Sequence, residues 1–178
     1  MSDFIAFTLN PDNVVNCTLA TDEGRTAYTV ITEHTTKATF TQTVSLGDWL
    51  KKSLIPFKGE VTFSDDKKRL YKWKGNLAGV ELELYNEDDK YKDPIAKFHK
   101  RRRLPNPEDS SKPPIWTESK LILTERAAEI QDLVVASFLF LEKSRRTNET
   151  TSQNRADVTL MPAFNPLGQD YNARNGGV

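Results

Sequence analysis

Several residue types that commonly build functional sites are scarce in this chain of 178 residues. Its single cysteine, Cys17, excludes a disulfide within the chain, and the two histidines, His34 and His99, have no spacing that suits a metal. Cys17 has no neighbouring base, so a half-buried strand position explains it better than nucleophilic catalysis. The eight glycines form no phosphate-binding loop. We therefore expect no catalytic residue, no metal and no cofactor.

The chain also lacks excess charge and a long apolar run. Lys plus Arg and Asp plus Glu number 25 each, so any attraction to nucleic acid or membrane must come from local patches. The strongest apolar run, residues 133–141, would form a helix of about 14 Å, whereas a bilayer core is about 30 Å thick. The first residues do not resemble a signal peptide. We expect a cytoplasmic protein without a transmembrane segment, with the membrane periphery or the nucleus as alternatives.

Up to residue 123, short segments with alternating apolar and polar side chains predict β-strands. The clearest are residues 60–64, 69–74, 78–85 and 94–99, which polar turns separate. In residues 78–85 the alternation places Val80 inward with Leu82 and Leu84, and Tyr85 outward. This pattern predicts an antiparallel meander with one buried face. Residues 46–54 instead favour one or two helical turns.

Residues 124–146 have the periodicity of a helix. Thr124 is a suitable N-cap, and apolar residues recur at helical spacing after it. From Val135 the opposite face becomes apolar as well, and it includes Phe140. A helix that is apolar on every side must be enclosed, so we expect the strands to curl around it as a barrel. Ser137 inside this helix either contacts the barrel wall or bonds back to the carbonyl four residues earlier.

The last part of the chain differs in composition. Residues 147–178 are rich in Asn, Thr, Gln, Gly and Arg, which predicts a disordered C-terminal tail after a domain of residues 1–146. One apolar stretch, residues 158–167, has a second interpretation as a docking peptide or a strand-like segment folded back on the barrel.

Several motifs, taken in order, resemble a fungal family of unknown function. The motifs are Leu9-Asn10-Pro11-Asp12-Asn13, Tyr71-Lys72-Trp73, Leu82-Glu83-Leu84, Pro94-Ile95-Ala96-Lys97-Phe98-His99-Lys100, and Leu133-Val134-Val135-Ala136-Ser137-Phe138 running to Leu141-Glu142-Lys143-Ser144-Arg145-Arg146. The similarity covers roughly residues 5–146. That family looks like a relative of the tubby C-terminal, LURP-one and phospholipid-scramblase group. The resemblance implies a tubby-like antiparallel β-barrel around an apolar C-terminal helix, but it implies no activity. The segment between Val44 and Gly59 is short for this pattern, so a barrel strand is expected to be reduced there.

The most charged segment is a basic run at residues 97–103. Outward Lys72, Lys74 and Lys97 would face Glu81 and Glu83 across the meander, and each such pair stabilises a sheet by about 0.2–1 kcal/mol. The cations left for a candidate anion- or lipid-binding patch are Lys100, Arg101, Arg102, Arg103, Lys143, Arg145 and Arg146. A nuclear import signal and a solvated strand end are the other interpretations of the run.

Three aromatic residues are candidates for stacking on nucleic-acid bases. They are Tyr71, Trp73 and Trp116, which have lysines nearby in sequence. Tyr71 and Trp73 alternate with the lysines and so belong to the opposite face. Core positions therefore explain the three aromatic residues better, and we expect no specific nucleic-acid partner.

These features favour a non-enzymatic binding or scaffold module. Its leading form associates weakly and reversibly with anionic phospholipid headgroups, including phosphoinositides. The main alternative is a protein-interaction module acting through the barrel wall or the C-terminal tail. A small-molecule enzyme with a pocket at the barrel mouth is a third hypothesis.

Overall fold

The structure is a computed structural model that describes residues 4–32, 46–55, 58–77, 79–107 and 112–160, without the side chains of residues 152 and 154–160. The strands are β1 (Ile5–Asn10), β2 (Cys17–Thr21), β3 (Thr26–Val30), β4 (Lys51–Lys52), β5 (Val61–Ser64), β6 (Leu70–Lys74), β7 (Glu83–Asn86), β8 (Pro94–His99), β9 (Arg103–Leu104), β10 (Ile115–Trp116) and β11 (Lys120–Leu123). The helices are α1 (Leu46–Trp49), α2 (Glu125–Ala128) and α3 (Gln131–Leu160).

The described strands form one large antiparallel sheet and a small ribbon. The sheet has the order β3-β2-β1-β11-β8-β7-β6-β5-β4, and β9 pairs only with β10. Strand β11 lies between β1 and β8 and joins the first three strands to the meander that follows. The predicted meander of β5 to β8 is confirmed, as are the helical turns of α1. The fold is mainly β, with a large antiparallel sheet and a C-terminal helix.

One face of the sheet carries the hydrophobic core. In β6 the side chains of Tyr71 and Trp73 are buried and those of Lys72 and Lys74 are not, as the alternation of a strand requires. The largest fully buried apolar side chains are those of Trp73, Tyr71, Phe7, Phe98 and Phe138. The rings of Phe98 in β8 and Phe138 in α3 lie 4.6 Å apart between centroids. The helix therefore packs directly on the buried face of the sheet.

Strand β7 pairs irregularly with β8 and carries consecutive buried residues. Its pairing with β8 shifts register between Leu84 and Tyr85, and the consecutive residues Leu84, Tyr85 and Asn86 are all buried. Tyr85 nevertheless has the predicted outward orientation, because its hydroxyl donates to Glu83 Oε2 at 2.6 Å and the Lys74 ammonium lies over its ring, and these outer-face contacts cover it. Val80 was expected inward but is exposed, because β7 begins only at Glu83.

The predicted helix of residues 124–146 consists of two helices. A turn at Glu129 and Ile130 separates α2 from α3. Thr124 makes no capping hydrogen bond with its side chain, and its hydroxyl instead donates to the Ile95 carbonyl at 3.0 Å, which ties α2 to β8. Helix α3 continues to Leu160, so residues 147–160 of the expected tail are helical. Residues 161–178, including most of the apolar stretch 158–167, lie outside the described residues.

The sheet packs against α3 across most of its width. Tyr28 in β3 donates its hydroxyl to Asp132 Oδ1 at 2.6 Å, and Leu50, next to β4, lines a groove with Leu141. In the described residues the edge strands β3 and β4 do not pair, so the sheet is not closed into a barrel. Where the sheet ends at β4, the groove of about 380 Å³ between α1 and α3 leaves Phe140 48% exposed. The expected enclosure of Phe140 is therefore wrong.

A buried polar contact fixes α3 on the sheet. Trp73 Nε1 donates to Ser137 Oγ at 2.9 Å, and the Ser137 hydroxyl donates to the Val134 carbonyl at 3.1 Å. The predicted contact of Ser137 with the sheet is therefore present. Its predicted hydrogen bond back along the helix is also present, but to the carbonyl three residues earlier instead of four. Both buried polar groups have a partner, as stable interiors require.

We expect Trp73 and Ser137 to be energetically coupled. Ser137→Ala leaves a buried indole N–H without an acceptor, and Trp73→Phe removes the donor, so the double variant loses less than the sum of the two single losses. The expected coupling energy is about 1 kcal/mol. Urea unfolding of the four proteins measures it, and additive losses would show that this hydrogen bond does not hold the helix to the sheet.

Candidate functional site

The seven cations of the candidate patch lie in two segments that meet at α3. Lys100, Arg101 and Arg102 connect β8 to Arg103 in β9, whereas Lys143, Arg145 and Arg146 lie in α3 itself. Lys100 Nζ donates to Glu149 Oε2 at 2.8 Å, and Arg145 Nη1 donates to the other oxygen of the same carboxylate. The two segments therefore contact each other through Glu149, which the sequence analysis had not singled out.

Glu142 is the centre of the ion pairs in α3. Its carboxylate is fully buried and accepts hydrogen bonds from Arg145 at 2.7 and 2.8 Å and from Arg146 Nε at 2.7 Å. Arg145 is itself only 2% exposed. A buried ion is tolerated when it is paired and hydrogen-bonded. Arg145 and Arg146 are therefore engaged inside the fold, which weighs against their predicted role in lipid binding.

Arg146 also ties α3 to the turn after β1. Its Nη1 donates to the Asp12 carbonyl at 2.9 Å, and its Nη2 donates to the Asp12 carboxylate. Burial acts to lower the pKa of the Arg146 guanidinium, but the hydrogen bonds to Asp12 and Glu142 outweigh it and raise the pKa above its ordinary value. Cys17 lies near this pair, and burial raises the pKa of its thiol. The interpretation of Cys17 as a buried strand residue is confirmed.

Glu149 is held by three donors from three parts of the chain. Besides Lys100 and Arg145, the backbone N–H of Gly79 donates to Glu149 Oε1 at 2.9 Å. Burial alone would raise the pKa of the Glu149 carboxyl. The hydrogen bonds from Lys100 and Gly79 outweigh it, and the pKa is lowered below its usual range. The carboxylate therefore stays ionised at neutral pH.

The other four candidate cations are at the surface. Arg102 pairs with Glu81, which also lies 3.5 Å from His99 Nδ1. The Arg101 guanidinium lies 4.8 Å from the centroid of the Trp116 ring. Arg103 and Lys143 are exposed and form no ion pair with any residue that the structure describes. Exposed pairs such as Arg102–Glu81 contribute only about 0–1 kcal/mol, so they exchange partners easily.

The predicted neutralisation of lysines by glutamates across the meander holds at one of the three lysines. Lys97 Nζ lies 3.1 Å from Glu83 Oε1, on the neighbouring strand. Lys72 instead pairs with Glu60 at 3.6 Å. Lys74 lies over the ring of Tyr85, 3.8 Å from its centroid, because in the β6–β7 pairing Tyr85 is opposite Lys72 and thus diagonal to Lys74 on the same face. All three lysines have partners within the fold and do not add to a free basic surface.

The β9–β10 ribbon combines exposed apolar side chains with arginines. Trp116 is 58% exposed, Ile115 is 45% exposed and Leu104 is 42% exposed. Ile115 is opposite Leu104 in the pairing, and Trp116 is opposite Arg103. The prediction of a core position is confirmed for Tyr71 and Trp73 but wrong for Trp116, because the ribbon pairs apart from the main sheet. Each strand has only two residues, too few for a periodic signal.

Other kinds of site find little support in the described residues. In these ranges no three His, Cys, Asp or Glu side chains are grouped so that they could hold a metal ion. His99 faces Glu81 on the outer side of the sheet, and His34 lies outside the described residues. The described helices include none that is both long enough and apolar enough to cross a bilayer.

Comparison with known proteins identifies a family but no function. The model of a family of unknown function, DUF6593, matches residues 15–147. The match includes most of the sheet and α3 as far as Thr147, but not β1, which lies in the middle of the sheet. Neither curated proteins nor solved structures give a significant match.

We expect Glu142→Gln to be strongly destabilising. The change leaves Arg145 buried without the carboxylate that accepts two of its hydrogen bonds. The expected loss in the free energy of unfolding is about 3 kcal/mol, toward the low end for a broken buried pair because Glu149 remains. Lys143→Gln, an exposed neighbour on the same helix, is the control and should change stability by less than about 0.5 kcal/mol. Equal losses in the two variants, measured by urea unfolding, would contradict a structural role for Glu142.

Proposed function

We propose that this chain, which belongs to the family of unknown function DUF6593, is a non-enzymatic module that associates reversibly with membranes containing anionic phospholipids. The observation that supports this most directly is the β9–β10 ribbon, where three exposed apolar side chains lie beside exposed arginines.

The apolar part of the ribbon suits the boundary between lipid headgroups and acyl chains. Trp116 has an amphipathic ring, and tryptophan is enriched at that boundary in membrane proteins. Leu104 and Ile115 are directly opposite in the ribbon, so their side chains can enter the bilayer surface together. Leu104 and Ile115 project from one face of the ribbon and Trp116 from the other, so both faces of this short ribbon offer exposed apolar surface to a membrane.

The basic part of the ribbon supplies attraction to an anionic surface. Arg101 stacks on Trp116 and keeps its charge available, and Arg103 is exposed opposite Trp116. Each cation near an anionic leaflet contributes about 1 kcal/mol, so these two contribute about 2 kcal/mol. Together with partial insertion of the apolar side chains, this gives weak binding that salt reduces.

Two finer parts of the proposal depend on the resemblance to the tubby group. One is a barrel of tubby type, to which the sheet and α3 correspond in outline. The other is a preference for phosphoinositides among anionic lipids. A tubby-type barrel and a preference for phosphoinositides both agree with a location in the cytoplasm at the membrane periphery. The nucleus is the alternative compartment. The alternative function, a protein-interaction module acting through the barrel wall or the tail, would also use exposed apolar side chains. One outcome of the vesicle sedimentation experiment therefore favours this alternative.

We expect the purified chain to sediment with vesicles of phosphatidylcholine and phosphatidylserine at low salt, and much less with phosphatidylcholine alone. Near-physiological salt should weaken the binding because the cations are exposed. Arg103→Gln should lower the affinity about fivefold, the equivalent of ~1 kcal/mol for one cation. Trp116→Ala should lower it as well, and Lys51→Gln, an exposed lysine in β4 at the sheet edge, serves as the matched control.

Two results would contradict membrane association through the ribbon. The first is no sedimentation with phosphatidylserine vesicles even at low salt, which would turn attention to protein partners of the same surface. The second is equal binding by the wild type and both ribbon variants, which would place the lipid contact elsewhere on the protein.

A further inference from the structure

A second region of the surface has the chemistry of an anion site. A cavity of about 290 Å³ lies between the loop before β7, the end of β8 and α3, and its lining includes Gly79, Glu81, Phe98, Lys100, Arg102 and Arg145. Pockets for drug-sized ligands measure about 300–1,000 Å³, so this cavity suits a small ligand. Three of the lining residues are cations from two separate segments of the chain.

An anionic group already occupies the donors at this cavity. The Glu149 carboxylate accepts hydrogen bonds from the Gly79 N–H at 2.9 Å, from Lys100 Nζ at 2.8 Å and from Arg145. Gly79 has a φ of +78°, which residues with a side chain rarely adopt, and this backbone presents its N–H to the carboxylate. A backbone N–H, an ammonium and a guanidinium are the donors with which proteins bind phosphate.

Without the Glu149 carboxylate, the charges around the cavity sum to a net positive charge that would attract an anion. Three cations that line the cavity, Lys100, Arg102 and Arg145, then face two acids, namely Glu81 in the lining and Glu142 behind Arg145. The difference of three and two is one positive charge, within a partly buried setting where charges interact more strongly than in water. Arg145, at 2% exposure, cannot turn to solvent for another partner.

The position of Glu149 in α3 allows its carboxylate to separate from these donors. It lies between the exposed residues Asn148 and Thr150. Its side chain is 17% exposed, so a change of rotamer can take its carboxylate from the donors to water without movement of the helix. Its bonds to Gly79 and Lys100 would then be open to an incoming anion, and the ion pair of Arg145 with Glu142 would remain.

We propose that the donors around Glu149 bind a phosphate monoester, which displaces the Glu149 carboxylate. A monoester carries a charge of about −1.5 to −2 at pH 7 and has three acceptor oxygens, so it replaces a single carboxylate with more charge and more hydrogen bonds. The monoester comes either from a soluble phosphate compound or from a lipid headgroup, and the chemistry of the site is the same for both. This proposal does not depend on membrane association through the β9–β10 ribbon.

The first experiment is a calorimetric titration of the full chain with glycerol phosphate, a soluble phosphate monoester. We expect saturable binding with one site per chain. Glu149→Ala removes the internal competitor and should tighten binding about tenfold, equivalent to ~1.4 kcal/mol. Lys100→Met should weaken binding by a similar factor in the native background and in the Glu149→Ala background. Glu118→Gln, an exposed acid outside the cavity, is the matched control for a change of charge.

The outcomes separate the proposal from simple electrostatics. Glu149→Gln keeps the shape of the side chain, so it provides the same test if the alanine variant fails to fold. Absence of binding by the wild type overturns the proposal, even if Glu149→Ala binds, because Glu149 would then occupy the donors permanently. An affinity that Lys100→Met does not change overturns it too, as does a tightening by Glu118→Gln equal to that of the Glu149 variants.

A vesicle experiment then distinguishes the two sources of the monoester. Phosphatidic acid carries a phosphate monoester and phosphatidylglycerol carries a diester, while both make the surface anionic. If the source is a lipid, vesicles with phosphatidic acid bind more tightly than vesicles with phosphatidylglycerol, and Lys100→Met removes the difference. If the source is soluble, glycerol phosphate binds to the cavity but the two vesicle types behave alike.

Discussion

The contact between one face of α3 and the buried face of the sheet is the constraint on which the rest of the structure depends. Val134, Phe138 and Leu141 are buried along this face. Each such side chain loses about 1.5–3 kcal/mol of stabilisation when it is exposed to water. This burial therefore stabilises the helix and the core of the sheet together. The Trp73–Ser137 hydrogen bond sets the depth and rotation of this packing.

The same constraint explains where charge is buried. Towards the end of the packed face, the next turns of α3 still lie against the sheet, but they carry Glu142, Arg145, Arg146 and Glu149. Glu142 and Arg145 cannot reach water, and all four side chains pair with one another or with Asp12 and Lys100 from neighbouring segments. The cluster that keeps the helix end in place thus concentrates hydrogen-bond donors at one cavity. Structure and candidate ligand binding share these residues.

Local patterns predicted local structure well and long-range structure only in part. The alternation in β6 and β8 identified their buried faces, because a strand repeats every two residues. The insertion of β11 between β1 and β8, and the shifted register at Tyr85, depend on distant pairing and leave no local signal. The spacing of Glu142, Arg145 and Glu149 by three and four residues could have indicated their ion pairs, but only packing shows that they are buried. The exposed ribbon was missed because its strands are two residues long.

Native-state hydrogen exchange tests most directly whether α3 and the sheet stabilise each other. If they do, the amides of Val134, Phe138 and Leu141 exchange through the same opening as the amides of Trp73 in β6 and Phe98 in β8, with equal free energies of exchange. A helix whose amides exchange at a free energy several kcal/mol lower than those of the strands would contradict this dependence. It would show that the sheet is stable without α3.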